Sequence, residues 1–155
     1  MQTGVNTVNS WDRSEITNKV KFAADELGAS NPQQLKQLLA SCNDAPSREV
    51  FFGLFSFFFD PKLQQNGYER QKLAGTLLLT IAPPSPIALD GSVYGSAGHW
   101  NLSISELPYY WCKVFGHTEV VIFLDDLIDS CVEAGLKRSV KTLLFWARGY
   151  DRESS

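Results

Sequence analysis

Three aspartates within five residues have a spacing that could support metal chemistry. Asp125, Asp126 and Asp129 form the pattern DDxxD inside the segment 118–134. Side chains three and four positions apart lie on one face of a helix, so two of these carboxylates can share one cation. Carboxylate oxygens are ligands that Mg²⁺ accepts, usually together with the phosphates of a substrate. A magnesium-dependent hydrolase is therefore one hypothesis for this chain.

The DDxxD string is similar to the magnesium-binding motif of isoprenoid-diphosphate enzymes. Those enzymes carry a second acidic motif on the opposite side of a larger helical bundle, and this sequence contains no second copy. It also lacks the paired ExxE and ExxD helices that an all-α nucleotide pyrophosphohydrolase would need. We therefore expect no metal site and no cofactor.

Other catalytic constellations are equally weak. His99 and His117 are the two histidines, and neither belongs to an HxxxH or HxxE pattern. A Cys112–His117 dyad is conceivable, but that cysteine falls in an apolar helical context. Neither a nucleophile elbow, GxSxG, nor a phosphate-binding loop ending in GK occurs. The sequence does not predict an enzyme.

The aspartates lie on the most clearly amphipathic stretch of the chain, which we expect to form a helix from Thr118 to Ala134, ended by Gly135. At 100° per residue one side is apolar and consists of Val120, Val121, Leu124, Leu127, Ile128 and Cys131. The other side gathers five carboxylates within an arc of roughly 120°, namely Glu119, Asp125, Asp126, Asp129 and Glu133. No lysine or arginine lies within the segment.

An aliphatic residue, Ile122, sits at the centre of this acidic arc, where the pattern expects a polar one. An apolar anchor ringed by charge is typical of a protein interface with a polar rim. Clustered carboxylates also steer the association of a basic partner. The arc is therefore predicted to bind a protein, although a solvated face that keeps the chain soluble is the alternative interpretation.

The charge distribution along the chain favours the same kind of partner. Up to residue 81, eight basic and eight acidic residues cancel, whereas residues 82–134 contain seven carboxylates and one lysine, Lys113. The net charge is −3. An acidic middle disfavours direct contact with nucleic acid and favours a basic protein.

Start and stop signals predict an all-α, single-domain, irregular bundle of six to seven helices, with residues 1–9 and 150–155 frayed. The predicted helices run from Ser10 or Ser14 to Leu27, from Asn31 to Asn43, from Ser47 to Phe59, from Gly67 to Ile81, from Ser103 to Phe115, over 118–134, and from Leu136 to Trp146 or Arg148. The run of phenylalanines over 51–59 predicts the centre of the first half's core, and a strand there is the alternative, because a short apolar run does not distinguish the two.

The Pro/Gly-rich stretch 82–101 shows no sustained period and is predicted to be a long loop. Tyr94 and Trp100 lie on its glycine- and serine-rich background, a composition suited to recognition, so both join the predicted partner-binding residues. The alternative for Trp100 is that it folds back onto the core.

The last predicted helix carries Lys137, Arg138, Lys141 and Arg148, with Phe145 beside them. These charges are few for a nucleic-acid footprint. The structural interpretation is that Lys137, Arg138 and Lys141 pair with the carboxylates of the preceding helix across the turn at Gly135.

Nothing in the sequence predicts export or membrane insertion. The first ten residues lack the basic start and apolar run of a signal peptide, and the longest apolar run, 50–59, falls short of the ~18 residues that a membrane span needs. Cys42, Cys112 and Cys131 are too unevenly spaced for a disulfide framework or a zinc site. We expect a soluble, cytoplasmic protein.

The stretch WNLSISELPYYWCKVFG (100–116), together with the acidic helix that follows it, resembles helical members of the immunity proteins encoded beside contact-dependent growth-inhibition and other polymorphic toxins. The resemblance implies an inhibitor that binds the C-terminal domain of its cognate toxin in the cytosol and blocks the active site or substrate surface. Many such toxins are basic nucleases, which would suit an acidic docking face. A helical adaptor that binds another basic partner is the rival hypothesis.

Overall fold

Eight α-helices and one 3-10 turn follow one another along residues 10–154, the part of the chain that the computed structural model describes, and no β-strand occurs there. The helices are α1 (Arg13–Leu27), α2 (Pro32–Asn43), α3 (Ser47–Phe59), α4 (Gly67–Ile81), α5 (Leu89–Ser96), α6 (Glu106–Phe115), α7 (His117–Ser130) and α8 (Ala134–Ser154). The all-α irregular bundle is confirmed, with one helix more than expected. The predicted fraying of residues 1–9 lies outside the described residues, and α8 is helical up to Ser154.

Polar caps fix where the first helices begin. The Asp12 carboxylate accepts a hydrogen bond from the Glu15 amide (2.9 Å), so Asp12 caps α1 in place of the predicted serines. Asn31 caps α2 through the Gln34 amide (2.9 Å), with Pro32 in the first turn as predicted. A short polar side chain at each entrance satisfies amides that would otherwise have no partner inside the helix.

Helix α3 forms the centre of the first half, as its phenylalanines predict. Phe51 and Phe57 are fully buried, and the Phe51 ring stacks on that of Phe55 with centroids 5.1 Å apart. Helix α1 crosses α3 closely at Gly53, where an added Cβ would lie 2.8 Å from the Ile16 side chain. None of the helices in the described part of the chain is both long and apolar enough to cross a membrane.

Helix α6 joins the two halves, since it packs against α4 on one side and against α7 and α8 on the other. Its Tyr110 is buried and donates a hydrogen bond to the Pro83 carbonyl (2.6 Å). Helices α7 and α8 form an antiparallel hairpin, because His117 at the start of α7 contacts the carbonyl of Ala147 (3.0 Å) near the end of α8. The residues at the outer end of this hairpin are 131–133.

The predicted long loop at 82–101 is wrong in its centre, where residues 89–96 form α5. The buried Gln71 of α4 fixes the end of this stretch, because its amide donates to the His99 carbonyl (2.8 Å) and accepts from the Asn101 amide (2.8 Å). Helix propensity in a glycine-rich stretch is low, so packing from outside the segment decides its conformation.

Candidate protein-docking surface

Helix α7 carries the candidate surface, and its boundaries differ from those predicted. It begins at His117, directly after Gly116, whose φ of 104° ends α6 and turns the chain. It ends at Ser130, four residues before the predicted Ala134, and Gly135 lies in the first turn of α8. The helix therefore has 14 residues, enough for four turns of an amphipathic pattern.

The outward side of α7, which we call the acidic face, consists of Glu119, Ile122, Asp125, Asp126 and Asp129. All five are exposed. Ile122 leaves 54% of its surface to solvent, although the opposite side of the helix is buried through Val120, Leu124 and Leu127. The helical period alone thus placed these residues correctly.

The acidic face is largely free of internal ion pairs. Asp125 lies 3.6 Å from the Arg148 guanidinium, and both side chains are more than half exposed. Within the described residues, Glu119, Asp126 and Asp129 form no ion pair. The predicted pairing of α7 carboxylates with three basic residues of the last helix is therefore wrong for the set Lys137, Arg138 and Lys141.

Glu133 does not belong to the acidic face, because α7 has already ended before it. Its carboxylate accepts a hydrogen bond from the Leu136 amide and its carbonyl accepts one from the Lys137 amide (3.0 Å). Glu133 is therefore the N-cap of α8, where a negative charge also interacts favourably with the helix dipole. Its predicted place in the acidic arc is corrected accordingly.

The two aromatic residues predicted from the stretch 82–101 have different environments. Tyr94 is exposed on α5, whose main packing partner is α3. Trp100 is only 3% exposed, and its indole N–H donates to the Ile104 carbonyl (2.9 Å). Its predicted exposure to a partner is wrong and the alternative, burial against the core, is confirmed. Neither residue extends the acidic face of α7.

The residues of the catalytic hypotheses, Cys112, His117, Asp125, Asp126 and Asp129, lie on α6 and α7. No three histidine, cysteine, aspartate or glutamate side chains in the described part of the chain are grouped so that they could hold a metal ion. Cys112 and His117 both contact the Ala147 carbonyl, through Sγ at 3.9 Å and Nε2 at 3.0 Å. Burial raises the pKa of the Cys112 thiol to about 12, which disfavours the thiolate that a nucleophile requires.

A second exposed face lies on α8 and was missed as a site. We call it the basic face, and it consists of Lys137, Arg138, Lys141, Phe145 and Arg148. Phe145 leaves 66% of its surface to solvent and packs edge-on against Trp146. The period of 100° per residue that puts Ile122 at the centre of the acidic arc also puts Phe145 between Arg138 and Arg148 on the surface of α8. The basic face could therefore have been predicted from the sequence.

A groove of about 440 Å³ lies between α1 and α3, away from the acidic face. Its wall includes Arg13, whose guanidinium is bound by the Glu49 carboxylate (2.8 Å) and lies 4.5 Å above the Phe52 ring. This cation is therefore already engaged by its neighbours.

The chain matches no protein-family model, no curated protein and no solved structure. The function is therefore inferred from the faces of α7 and α8 themselves.

Proposed function

We propose that this protein is an inhibitor that binds a basic protein domain through the acidic face of α7. The observation that carries the proposal is Ile122, which lies more than half exposed at the centre of four exposed carboxylates. An aliphatic side chain of this size adds nothing to the stability of the folded monomer while it stays in water. The side chain contributes binding energy once a partner covers it.

The surrounding charges suit the first step of such binding. Asp126 and Asp129 have no ion-pair partner among the described residues, so their charge is available to an incoming protein. Unpaired charges of one sign accelerate association with an oppositely charged surface and disfavour partners of the same sign. The charges then raise the association rate and the selectivity. Ile122, once the partner covers it, slows dissociation.

The partner we propose is the toxin domain whose gene accompanies that of the inhibitor. Support comes from the resemblance of the segment 100–116 and the acidic helix to helical immunity proteins. A toxin that acts on nucleic acid carries a basic substrate surface, and an acidic face can cover such a surface as the phosphates do. Inhibition then follows from occlusion and requires no chemistry from the inhibitor.

The test is an association experiment with the C-terminal domain of the polymorphic toxin encoded next to this gene. Reversing two of the free carboxylates, as Asp126→Lys with Asp129→Lys, should slow association at low salt by about tenfold or more. The matched control reverses two exposed carboxylates of the first half, Glu26→Lys with Asp44→Lys, and should change the rate far less.

Three outcomes count against the proposal. Equal association rates for the two double variants would remove the acidic face from the interface. A genome with no toxin gene beside this one would remove the immunity assignment. Capture of a different basic protein from the native host, with binding that depends on Asp126 and Asp129, would favour the adaptor hypothesis in its place.

A further inference from the structure

The acidic face and the basic face adjoin on one side of the α7–α8 hairpin. Their contact is the pair of Asp125 and Arg148, which lie at the edges of the two faces and approach to 3.6 Å. Each face has one exposed apolar residue at its centre, Ile122 on α7 and Phe145 on α8. Apart from the Asp125–Arg148 pair, no ion pair joins the two faces within the described residues.

We propose that a second copy of this chain covers both faces at once in the free protein. A two-fold axis parallel to the hairpin places α7 of each copy on α8 of the other, in antiparallel orientation, and leaves every residue at its own level. The acidic face of each copy then meets the basic face of the other, and the exposed Ile122 and Phe145 lie within the covered area. Because the two faces lie side by side, the pair closes and no free face is left to propagate a chain.

The size of the faces sets the strength of this pairing. Helix α7 is roughly 21 Å long for its 14 residues, and two packed helices are about 10 Å apart. The hairpin therefore offers a footprint of roughly 400 Å² per copy, about half that of a standard protein interface. The self-association is weak, salt-sensitive and readily displaced.

Self-association goes beyond the proposed function, and it gives that function a form of regulation. A partner that binds the acidic face has to displace the second copy, so free inhibitor would exchange between a covered and an open state. The pairing itself requires no external partner and is measured in its absence. Its failure and a failure of toxin binding are therefore separate results.

The experiment is sedimentation velocity of the full chain over a range of concentrations at about 20 mM and about 500 mM salt. The weight-average mass should rise from one copy toward two at low salt, and the dissociation constant should increase about tenfold or more at high salt. Asp126→Lys alone and Arg138→Glu alone should each abolish the rise, since each reverses a charge in both of the acidic–basic contacts of a symmetric pair. Lys36→Glu, an exposed charge change on α2, is the control and should leave it intact.

Mixing the two single variants is the decisive measurement. In a mixed pair, the unmodified acidic face of one chain meets the unmodified basic face of the other, and the introduced lysine and the introduced glutamate lie on the remaining two opposed faces. The mixture should therefore associate where neither variant does alone. A single-copy mass at every concentration in low salt, growth beyond two copies, or a mixture that stays monomeric would overturn the proposal.

Discussion

The first half of the molecule and its last two helices use charged residues in opposite ways. In the first half, Arg70 of α4 binds the Asp25 carboxylate of α1 through two of its nitrogens, at 2.9 and 2.7 Å. Arg13 and Glu49 join α1 to α3 in the same two-pronged manner. Among the described side chains of α7 and α8, the ion pair present is the exposed one between Asp125 and Arg148 at 3.6 Å.

The difference shows which charges hold the fold together. A bidentate pair at least partly shielded from water strengthens the contact between two helices, whereas isolated exposed charges contribute little to stability. The apolar residues follow the same division, because the phenylalanines of α3 are mostly buried while Ile122 and Phe145 are exposed. Substitutions in the first half should therefore change stability, and those on the hairpin faces should change binding.

The largest effect should come from a phenylalanine of the first half. Phe51→Ala removes a fully buried ring that stacks on Phe55, and it should lower the free energy of unfolding by about 3–5 kcal/mol. Phe145→Ala is the matched change on the basic face, and we expect it to stay within about 0.5 kcal/mol of the unmodified protein. Urea unfolding measures both. Similar losses for the two variants would contradict the division between buried and exposed aromatics.

A smaller loss should follow from removing one charge of a partly buried pair. Asp25→Asn leaves the Arg70 guanidinium, whose side chain is 9% exposed, without its counter-charge. The expected cost is about 1.5–3 kcal/mol, because charge-assisted hydrogen bonds are lost at a poorly solvated cation. Asp126→Asn removes a carboxylate that has no ion pair among the described residues, and its unfolding curve should overlay that of the parent protein.

The paired carboxylates should also make the first half sensitive to acid. Hydrogen bonds from Arg70 hold the pKa of Asp25 at about 2, and those from Arg13 hold the pKa of Glu49 at about 2, below the ordinary 3.8 and 4.5. A lowered pKa gives stability that is fully present above the ordinary value and is lost as the pH falls toward 2. The urea midpoint should therefore drop steadily below about pH 5.

The control for the acid effect is the double variant Asp25→Asn with Glu49→Gln. It should begin with a lower midpoint at neutral pH and change less on acidification, because the two groups that bind protons on unfolding are gone. A midpoint that falls equally steeply in this variant would place the acid sensitivity elsewhere in the chain.

Sequence reasoning placed the faces of single helices well because that information is local. The position of Ile122 among exposed carboxylates follows from a period of 3.6 residues within one helix, and the structure leaves it in the predicted place. The capping of α2 by Asn31 is likewise decided within four residues. Nothing outside the segment is needed to read either feature.

The errors arose where distant residues decide the outcome. Trp100 is buried because Gln71, about thirty positions earlier, holds the adjacent backbone through two hydrogen bonds. Among the described residues, Lys137, Arg138 and Lys141 form no ion pair with α7, whereas the geometry of the hairpin brings Arg148 to 3.6 Å from Asp125. The periodicity of the sequence specifies neither the path of the backbone over 82–101 nor the orientation of α8 about its axis relative to α7.

The exposed anchor of the acidic face should matter for binding and not for folding. Ile122→Ala should raise the dissociation constant for the toxin domain by about tenfold, the usual cost of removing an interface anchor of this size. Its unfolding curve should stay within about 0.5 kcal/mol of the parent protein. Equal affinity with unchanged stability would show that Ile122 remains solvated in the complex, and that charge alone supports the docking.

The smallest stability effect should be at the ion pair of Asp125 and Arg148, which joins the two hairpin faces. Arg148→Gln removes a pair at 3.6 Å in which both side chains are more than half exposed, so the free energy of unfolding should fall by no more than about 1 kcal/mol. The substitution also leaves Asp125 uncompensated, so the acidic face should bind its basic partner slightly faster at low salt, and the gain should disappear at high salt.

Stopped-flow association at two ionic strengths measures the effect, and Arg48→Gln, an exposed charge change on α3, is the control. Slower association in the Arg148 variant would instead mean that Arg148 orients Asp125 for the partner. The ion pair would then belong to the binding surface, and the first half would still be the part of the chain whose charges stabilise the fold.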